Sequence, residues 1–262
     1  MDGEARVKTG IPGFDELVAG GLPKESNILL TGIPGTGKTI FALQYLYNGA
    51  KNGEYGVYVT LDQSRYTLLD QARNLGWDLE SLEKDKKIKI VEVALDLAGI
   101  NIFEMIDAAV KEVSAKRLVF DSLVNFAVNL DQFIIPLGFN LSDVDPAYKN
   151  RPTDHKIIYN GKSDQRATYL LINELSKQGT TNLIITAAKQ AGDQLTVDGV
   201  SEFACDGVMA FYNELLGSKR MRTINILKMR DTDHSQYVHD LELSKKGCSV
   251  RPAEKVYQKS TD

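Results

Sequence analysis

Eight consecutive residues, Gly32, Ile33, Pro34, Gly35, Thr36, Gly37, Lys38 and Thr39, follow the pattern G-x-x-x-x-G-K-T. Each type has a use against a polyphosphate. Glycines let backbone amides turn inward around phosphate oxygens with no Cβ in the way. Lys38 supplies a point charge to the β- and γ-phosphates, and the Thr39 hydroxyl is a ligand for Mg²⁺. Gly32, Pro34, Gly35, Thr36, Gly37, Lys38, Thr39 and the next residue, Ile40, are therefore the expected nucleotide-binding set. The competing reading is a Gly/Pro-rich turn without a ligand. The flanks argue against it: SNILLT reads as a strand and IFALQYLYNGA as a helix, so the loop opens a helix whose N-terminal dipole favours an anion.

A metal in such a site needs a second acid, and RLVFDS places Asp121 at the end of a buried apolar strand. In isolation this aspartate also reads as a cap for the next helix. Beside a phosphate loop it reads as the metal carboxylate. Ser122 would then cap or satisfy local backbone groups.

These groups require a scaffold that presents strand ends on one edge. Short apolar runs, expected as strands near Asn27–Thr31, Gly56–Leu61, Ile88–Val93, Arg117–Asp121 and Asn182–Thr186, alternate with helical spacing near Lys38–Asn48, Arg65–Leu75, Ile102–Val113 and Gln165–Lys177. The alternation predicts an α/β fold, a mostly parallel central sheet flanked by helices. From about Asp206, period-two runs in GVMAFY, RTINILKM and QYVHDLELS predict antiparallel strands added at the C-terminal end. Residues 125–164 contain Pro136, Gly138, Pro146, Pro152 and Gly161 and are too long for an ordinary connection, so they read as an insertion or a mobile loop. The tail after Pro252 is polar and expected to fray.

With 262 residues, 43% of them hydrophobic, the chain suits one large domain over 1–262 with the irregular insertion at about 125–164. Lys and Arg number 31 against 35 Asp and Glu, a net charge of −4, so no global positive field draws it to nucleic acid. Cys205 and Cys248 lack metal-ligand spacing and read as reduced packing residues. The N-terminus lacks an apolar leader, and no apolar run approaches the roughly 20 residues of a membrane span. A cytoplasmic protein without membrane attachment is expected.

With both sites placed, the chain resembles the single-domain KaiC-like ATPases of the RecA superfamily, relatives of archaeal RadA and of the cyanobacterial clock ATPase. The resemblance runs over most of the chain. It rests on TGIPGFDELVAGGLP, the phosphate loop, YVTLDQS, KRLVFDSL, VSEFACDGV and KMRDTDHS followed by a strand. The phosphate loop by itself names only a very large superfamily; TGIPGFDEL and KMR-x-T-x-H-S are far more specific. The resemblance implies a RecA-like P-loop core, ATP with Mg²⁺, and a homo-oligomeric ring, commonly a hexamer, with nucleotide between neighbouring subunits. Preference for adenine comes from it alone. It also implies that Lys228 and Arg230 reach the γ-phosphate held by the adjacent subunit, as arginine fingers do. Apart from the resemblance they read as outward residues of an edge strand, and His234 either lines the interface or fixes a turn.

The chain departs from its relatives at informative places. Where they carry two glutamates, one a general base, it has Asp62 and Gln63. Asp62 is shorter by a methylene and Gln63 can only orient water, so hydrolysis is expected to be slow or absent, with Asp62 the catalytic candidate. Capping of the helix near Arg65 is the equal alternative for Asp62. Ala187 and Ala188 stand where relatives place a γ-phosphate sensor, with Lys189 or Gln190 as possible substitutes; Asp231 replaces a common glycine and would restrain Arg230. In the insertion, Lys149, Arg151, Lys156 and Lys162 are interleaved with Asp143, Asp145, Asp154 and Asp164, which disfavours DNA. Its aromatics Phe126, Phe133, Phe139, Tyr148 and Tyr159 would stack on bases or pack internally. A protein partner, or a cover over the site, fits better. Four functions follow: a ring ATPase acting as a switch, a recombinase paralogue binding single-stranded DNA, a non-hydrolysing scaffold, and an autokinase.

Overall fold

The computed structural model describes residues 6–94, 99–129, 133, 162–189 and 195–253. After a short ribbon of β1 (Arg6–Val7) and β2 (Leu22–Pro23), the chain enters β3 (Asn27–Thr31), α1 (Lys38–Lys51), β4 (Gly56–Thr60), α2 (Arg65–Asn74), α3 (Leu79–Lys84) and β5 (Ile88–Glu92). Then come α4 (Ile102–Val113), β6 (Arg117–Asp121), α5 (Leu123–Val128), α6 (Lys162–Ser176), β7 (Thr181–Ile185) and a one-turn α7 (Ser201–Ala204). Four strands close it: β8 (Gly207–Leu216), β9 (Lys219–Met229), β10 (Val238–Ser244) and β11 (Gly247–Arg251).

Nine strands form one sheet in the order β11-β10-β9-β8-β3-β7-β6-β4-β5. The six from β8 to β5 are mutually parallel, and β9, β10 and β11 continue antiparallel. The expected α/β architecture is present. The expected bounds of Asn27–Thr31, Arg117–Asp121 and Ile102–Val113 are met at both ends, and the other elements shift by one to three residues at one or both ends, because capping and pairing, rather than hydrophobicity, end an element. The 125–164 segment begins and ends in helix, in α5 and α6; most of its interior, including Phe139, Tyr148 and Tyr159, lies outside the described residues. Phe126 and Phe133 are buried and their rings lie 5.1 Å apart, so these two belong to the core rather than to a base-stacking surface.

Alternation along each covered strand sends side chains to two faces. Tyr58, Val119, Leu183 and Ile185 pack beneath α1 with Phe41 and Tyr45. Val57, Val59, Phe120 and Ile184 pack on the other face with Ile106 of α4 and Leu171 of α6. A buried arginine pins the first face. Arg117, 1% exposed, donates from Nη1 to the Tyr45 carbonyl at 2.7 Å and from Nη2 to the Lys8 carbonyl at 2.7 Å, and pairs with Glu54. Its guanidinium lies 4.5 Å above the Tyr45 ring. Gly49 of α1 makes room, since a Cβ there would stand 2.4 Å from Arg117 Nε.

The TGIPGFDEL segment is a lashing. Asp15 accepts from the Thr9 amide and hydroxyl at 2.8 and 2.7 Å and from the Gly10 amide at 3.1 Å, and the Val250 amide donates to the Pro12 carbonyl at 2.8 Å. Both cysteines are free and buried, as expected; burial pushes the Cys248 thiol up to about 12. No helix among the described residues is long and apolar enough to cross a membrane.

Candidate functional site

Because β3, β4, β6 and β7 are parallel, their carboxyl ends share one edge, where an open cleft of about 580 Å³ is lined by residues from each. From β3 come Gly32, Pro34, Gly35, Gly37, Lys38, Thr39 and Ile40; from the end of β4, Asp62 and Gln63; from β6, Asp121 and Ser122; from β7, Thr186 and Ala187. Of the sequence-derived nucleotide set, only Thr36 is buried beneath the loop rather than lining it; its hydroxyl donates to the Ile33 carbonyl at 2.9 Å.

Two glycines explain the loop's shape. Gly32 passes so close to β8 that a Cβ would meet the Phe211 carbonyl oxygen at 2.3 Å. Gly37 occupies the N-cap of α1 at φ 104°, a left-handed conformation that costs other residues about 1–2 kcal/mol. With no side chain capping α1, its first amides face the loop, as an anion site requires. Lys38 Nζ donates to the Gly32 and Ile33 carbonyls at 2.6 and 3.1 Å. Burial lowers its pKa to about 8 against the opposing pull of Asp121 and Asp62.

Asp121 caps no helix. Ser122 holds the N-cap position of α5, without a side-chain bond, and the Asp121 carboxylate instead accepts the Tyr58 phenol at 2.7 Å. Burial raises Asp121 to about 6, tempered first by that phenol bond. Thr39 lines the cleft together with Asp121. Hydroxyl and carboxylate oxygens suit a hard divalent cation; among the described residues no cluster of three His, Cys, Asp or Glu offers an all-protein metal cage. The donor set thus fits Mg²⁺ shared with phosphate oxygens.

The alternative role of Asp62 is not realised either. Ser64 caps α2, accepting from the Thr67 amide, while the exposed Asp62 takes a bond from Asn125 Nδ2 at 3.1 Å. Gln63 accepts from Gln71 Nε2 at 2.7 Å.

Lys228 and Arg230 lie at the other end of the sheet. Lys228 pairs with Val208 and Met229 with Gly207, level with Ile28, whereas the phosphate loop leaves the far end of β3. Along the strand Lys228 stands about 10 Å and Arg230 about 16 Å from the level of Gly32. β9 is an interior strand rather than an edge, and Lys228 Nζ donates to the Glu202, Phe203 and Cys205 carbonyls at 3.2, 3.3 and 2.6 Å. Burial and the neighbouring Arg230 depress its pKa. Arg230 pairs with Asp206 at 2.9 Å, so Asp206, not Asp231, restrains it. Asp231 sits at φ 52°, a left-handed conformation that glycine adopts more readily. His234 bonds within its own turn, Nδ1 to the Ser235 carbonyl.

Tyr58, Gln71, Asn125 and Arg222 line or support the cleft without having received a role from the sequence. Arg222 enters because β8 outruns β3, carrying its partner strand past the loop; its Nε donates to the Gly35 carbonyl at 3.0 Å. Tyr58 carried a signal, a hydroxyl-tipped ring two residues before the end of a covered strand. Gln71 and Asn125 carried none, since ordinary polar helix positions are read as solvated.

A family profile described as "ATPase: KaiC" matches residues 7–134 and 160–255. A UPF0273 protein of Aeropyrum pernix is 30% identical over 94% of this chain and 94% of its own length, and one of Thermotoga maritima 29% over 95% and 97%. The circadian clock oscillator protein KaiC of Parasynechococcus marenigrum is 29% identical over 94% of this chain, which spans 45% of that protein. A crystal structure of a KaiC-like protein from Pyrococcus horikoshii superposes with a TM-score of 0.76 at 34% identity, over 95% of this chain and 100% of that one.

Proposed function

Because the chain belongs to the KaiC ATPase family, we propose that it binds Mg-ATP at the carboxyl edge of its sheet, hydrolyses it slowly and uses the bound state as a conformational switch within a homo-oligomeric, hexameric ring. The observation that carries this reading is the division of cationic residues between the two ends of the sheet. Lys38 and Arg222 line the chain's own cleft. Lys228 and Arg230, about 10 and 16 Å away along the strands, are beyond side-chain reach of it. If they serve a γ-phosphate, it is a neighbour's. Lys228 would then exchange three carbonyl acceptors at the end of α7 for phosphate, so one ammonium is contested between fold and interface. That competition is what would make nucleotide a switch.

Within one cleft the roles divide by chemistry. The loop amides and Lys38 hold the phosphates, and Thr39 and Asp121 hold the cation. Bound Mg²⁺ supplies charge neutralisation at the phosphate oxygens. Asp62 accepts the proton of the attacking water; Gln63, tethered by Gln71, orients water without accepting a proton. An aspartate's shorter reach keeps turnover low.

The test measures ATP turnover and oligomeric state together, with and without single-stranded DNA, for wild type and for Lys38→Ala, Asp62→Asn and Arg230→Ala. Loss of turnover in all three, with Arg230→Ala also losing nucleotide-dependent assembly, is expected. Wild-type turnover in Asp62→Asn removes the base assignment. Unchanged rings in Arg230→Ala remove the finger in trans, and stimulation by DNA favours a recombinase paralogue.

A further inference from the structure

Tyr58 lies on β4 with none of its surface exposed, among apolar residues for which phenylalanine would fill the same space. A buried hydroxyl costs about 1–3 kcal/mol unless partnered, so its presence calls for a partner that uses it. That partner is Asp121 Oδ2, 2.7 Å from the phenolic oxygen. The register explains the reach. Thr60 stands opposite Asp121 and Tyr58 opposite Val119, so the ring starts two residues back on the same face of the neighbouring strand. Two residues of strand, about 6.6 Å, is the span a tyrosine side chain covers.

The consequence falls on the carboxylate. Asp121 ends its strand and lines the cleft, and nothing in an aspartate's own torsions fixes the plane of its two oxygens. A donor rooted in the core takes Oδ2 and leaves the other oxygen for the cleft.

We propose that Tyr58 is a positioning residue that holds Asp121 in register for the divalent cation of the bound nucleotide. This rests on reading Asp121 and Thr39 as the cation's protein ligands. Outer partners of metal ligands commonly contribute about 10–100-fold in metal affinity.

The experiment uses the full chain with a non-hydrolysable ATP analogue and Mn²⁺ as the probe. Free Mn²⁺ is followed by electron paramagnetic resonance for wild type, Tyr58→Phe and Asp121→Asn. Nucleotide affinity in EDTA is measured in parallel. Tyr58→Phe is expected to weaken Mn²⁺ by about tenfold or more while leaving the metal-free nucleotide affinity within about twofold. Asp121→Asn should weaken Mn²⁺ at least as much. If Asp121→Asn weakens Mn²⁺ and Tyr58→Phe does not, the positioning role is wrong and the ligand reading stands. If Asp121→Asn holds Mn²⁺ like wild type, the ligand reading fails and the role of Tyr58 with it. An equal loss of affinity with and without metal in Tyr58→Phe overturns the proposal in favour of a general structural effect. Should Tyr58→Phe not fold, fluorotyrosine placed at position 58 reads the bond in the intact site. Its ¹⁹F line must move when Mg²⁺ is added to the nucleotide complex, and a line that stays put overturns the proposal.

Discussion

The Asn125 side chain ties α5 to the loop after β4: its Nδ2 donates to Asp62 Oδ1 at 3.1 Å and to the Leu61 carbonyl at 3.3 Å. A carboxylate on an exposed loop is otherwise free to rotate away from the phosphates. Asn125→Ala is expected to lower ATP turnover on the order of tenfold, since small misplacements of a base are expensive. KM should hold, and the melting temperature should change little because the bond is solvent-exposed. A rise in turnover would mean that the bond holds Asp62 back rather than aiming it.

Asp121 links stability to pH. Its folded pKa is raised from 3.8 to about 6 by burial, so its contribution to stability is fully present below about pH 4 and is lost as pH rises through about 6. At neutral pH the buried charge is a cost. Without metal, Asp121→Asn should therefore be more stable than wild type at pH 7.5, by about 2 kcal/mol, with the gap closing at pH 4. Paired denaturant titrations at the two values check it; equal stabilities at pH 7.5 would refute it.

Lys38 sets the opposite limit on binding. Burial lowers its pKa from 10.5 to about 8, and only the ammonium form attracts phosphate. Affinity for Mg-ATP should be flat up to about pH 8 and then decline, by as much as about tenfold per pH unit. Calorimetry in buffers of differing ionisation enthalpy should show proton uptake on binding above pH 8. Lys38→Ala should lose both the affinity and the slope.

Gly49→Ala tests the arginine pin. The added methyl would stand 2.4 Å from Arg117 Nε and 2.6 Å from Arg117 Cζ, and that side chain is held by carbonyls of two segments and by Glu54. Although alanine favours helices, a loss of about 1–3 kcal/mol is expected from overpacking. A stabilised variant in thermal unfolding would show that Arg117 can move.

Asp231→Gly should act in the other direction. At φ 52° an aspartate is tolerated but strained, and glycine relieves that strain while adding freedom to the unfolded chain. A net gain of about 0.5 kcal/mol is expected, read as a higher melting temperature. The Arg230–Asp206 pair should persist, because it does not involve residue 231.

The sequence alone determined what local chemistry dictates. G-x-x-x-x-G-K-T has few uses other than turning amides toward phosphate, and covered strands with helical spacing between them leave little choice but a parallel sheet. Both were legible because they depend on neighbours in the chain. The roles of Asp121 and Asp62 stayed ambiguous between cap and site, because a carboxylate before a helix satisfies either reading; the tertiary structure removed the cap reading by giving Asp121 to Tyr58, and Asp62 to Asn125 while Ser64 caps α2. Only the fold could show that Lys228 and Arg230 stand at the far end of the sheet from Lys38 while Arg222, on the same strand as Lys228, stands beside it. An antiparallel strand of 11 residues reaches from the level of Ile28 of the five-residue central strand to well past its carboxyl end, and which end a residue serves depends on register, a long-range property.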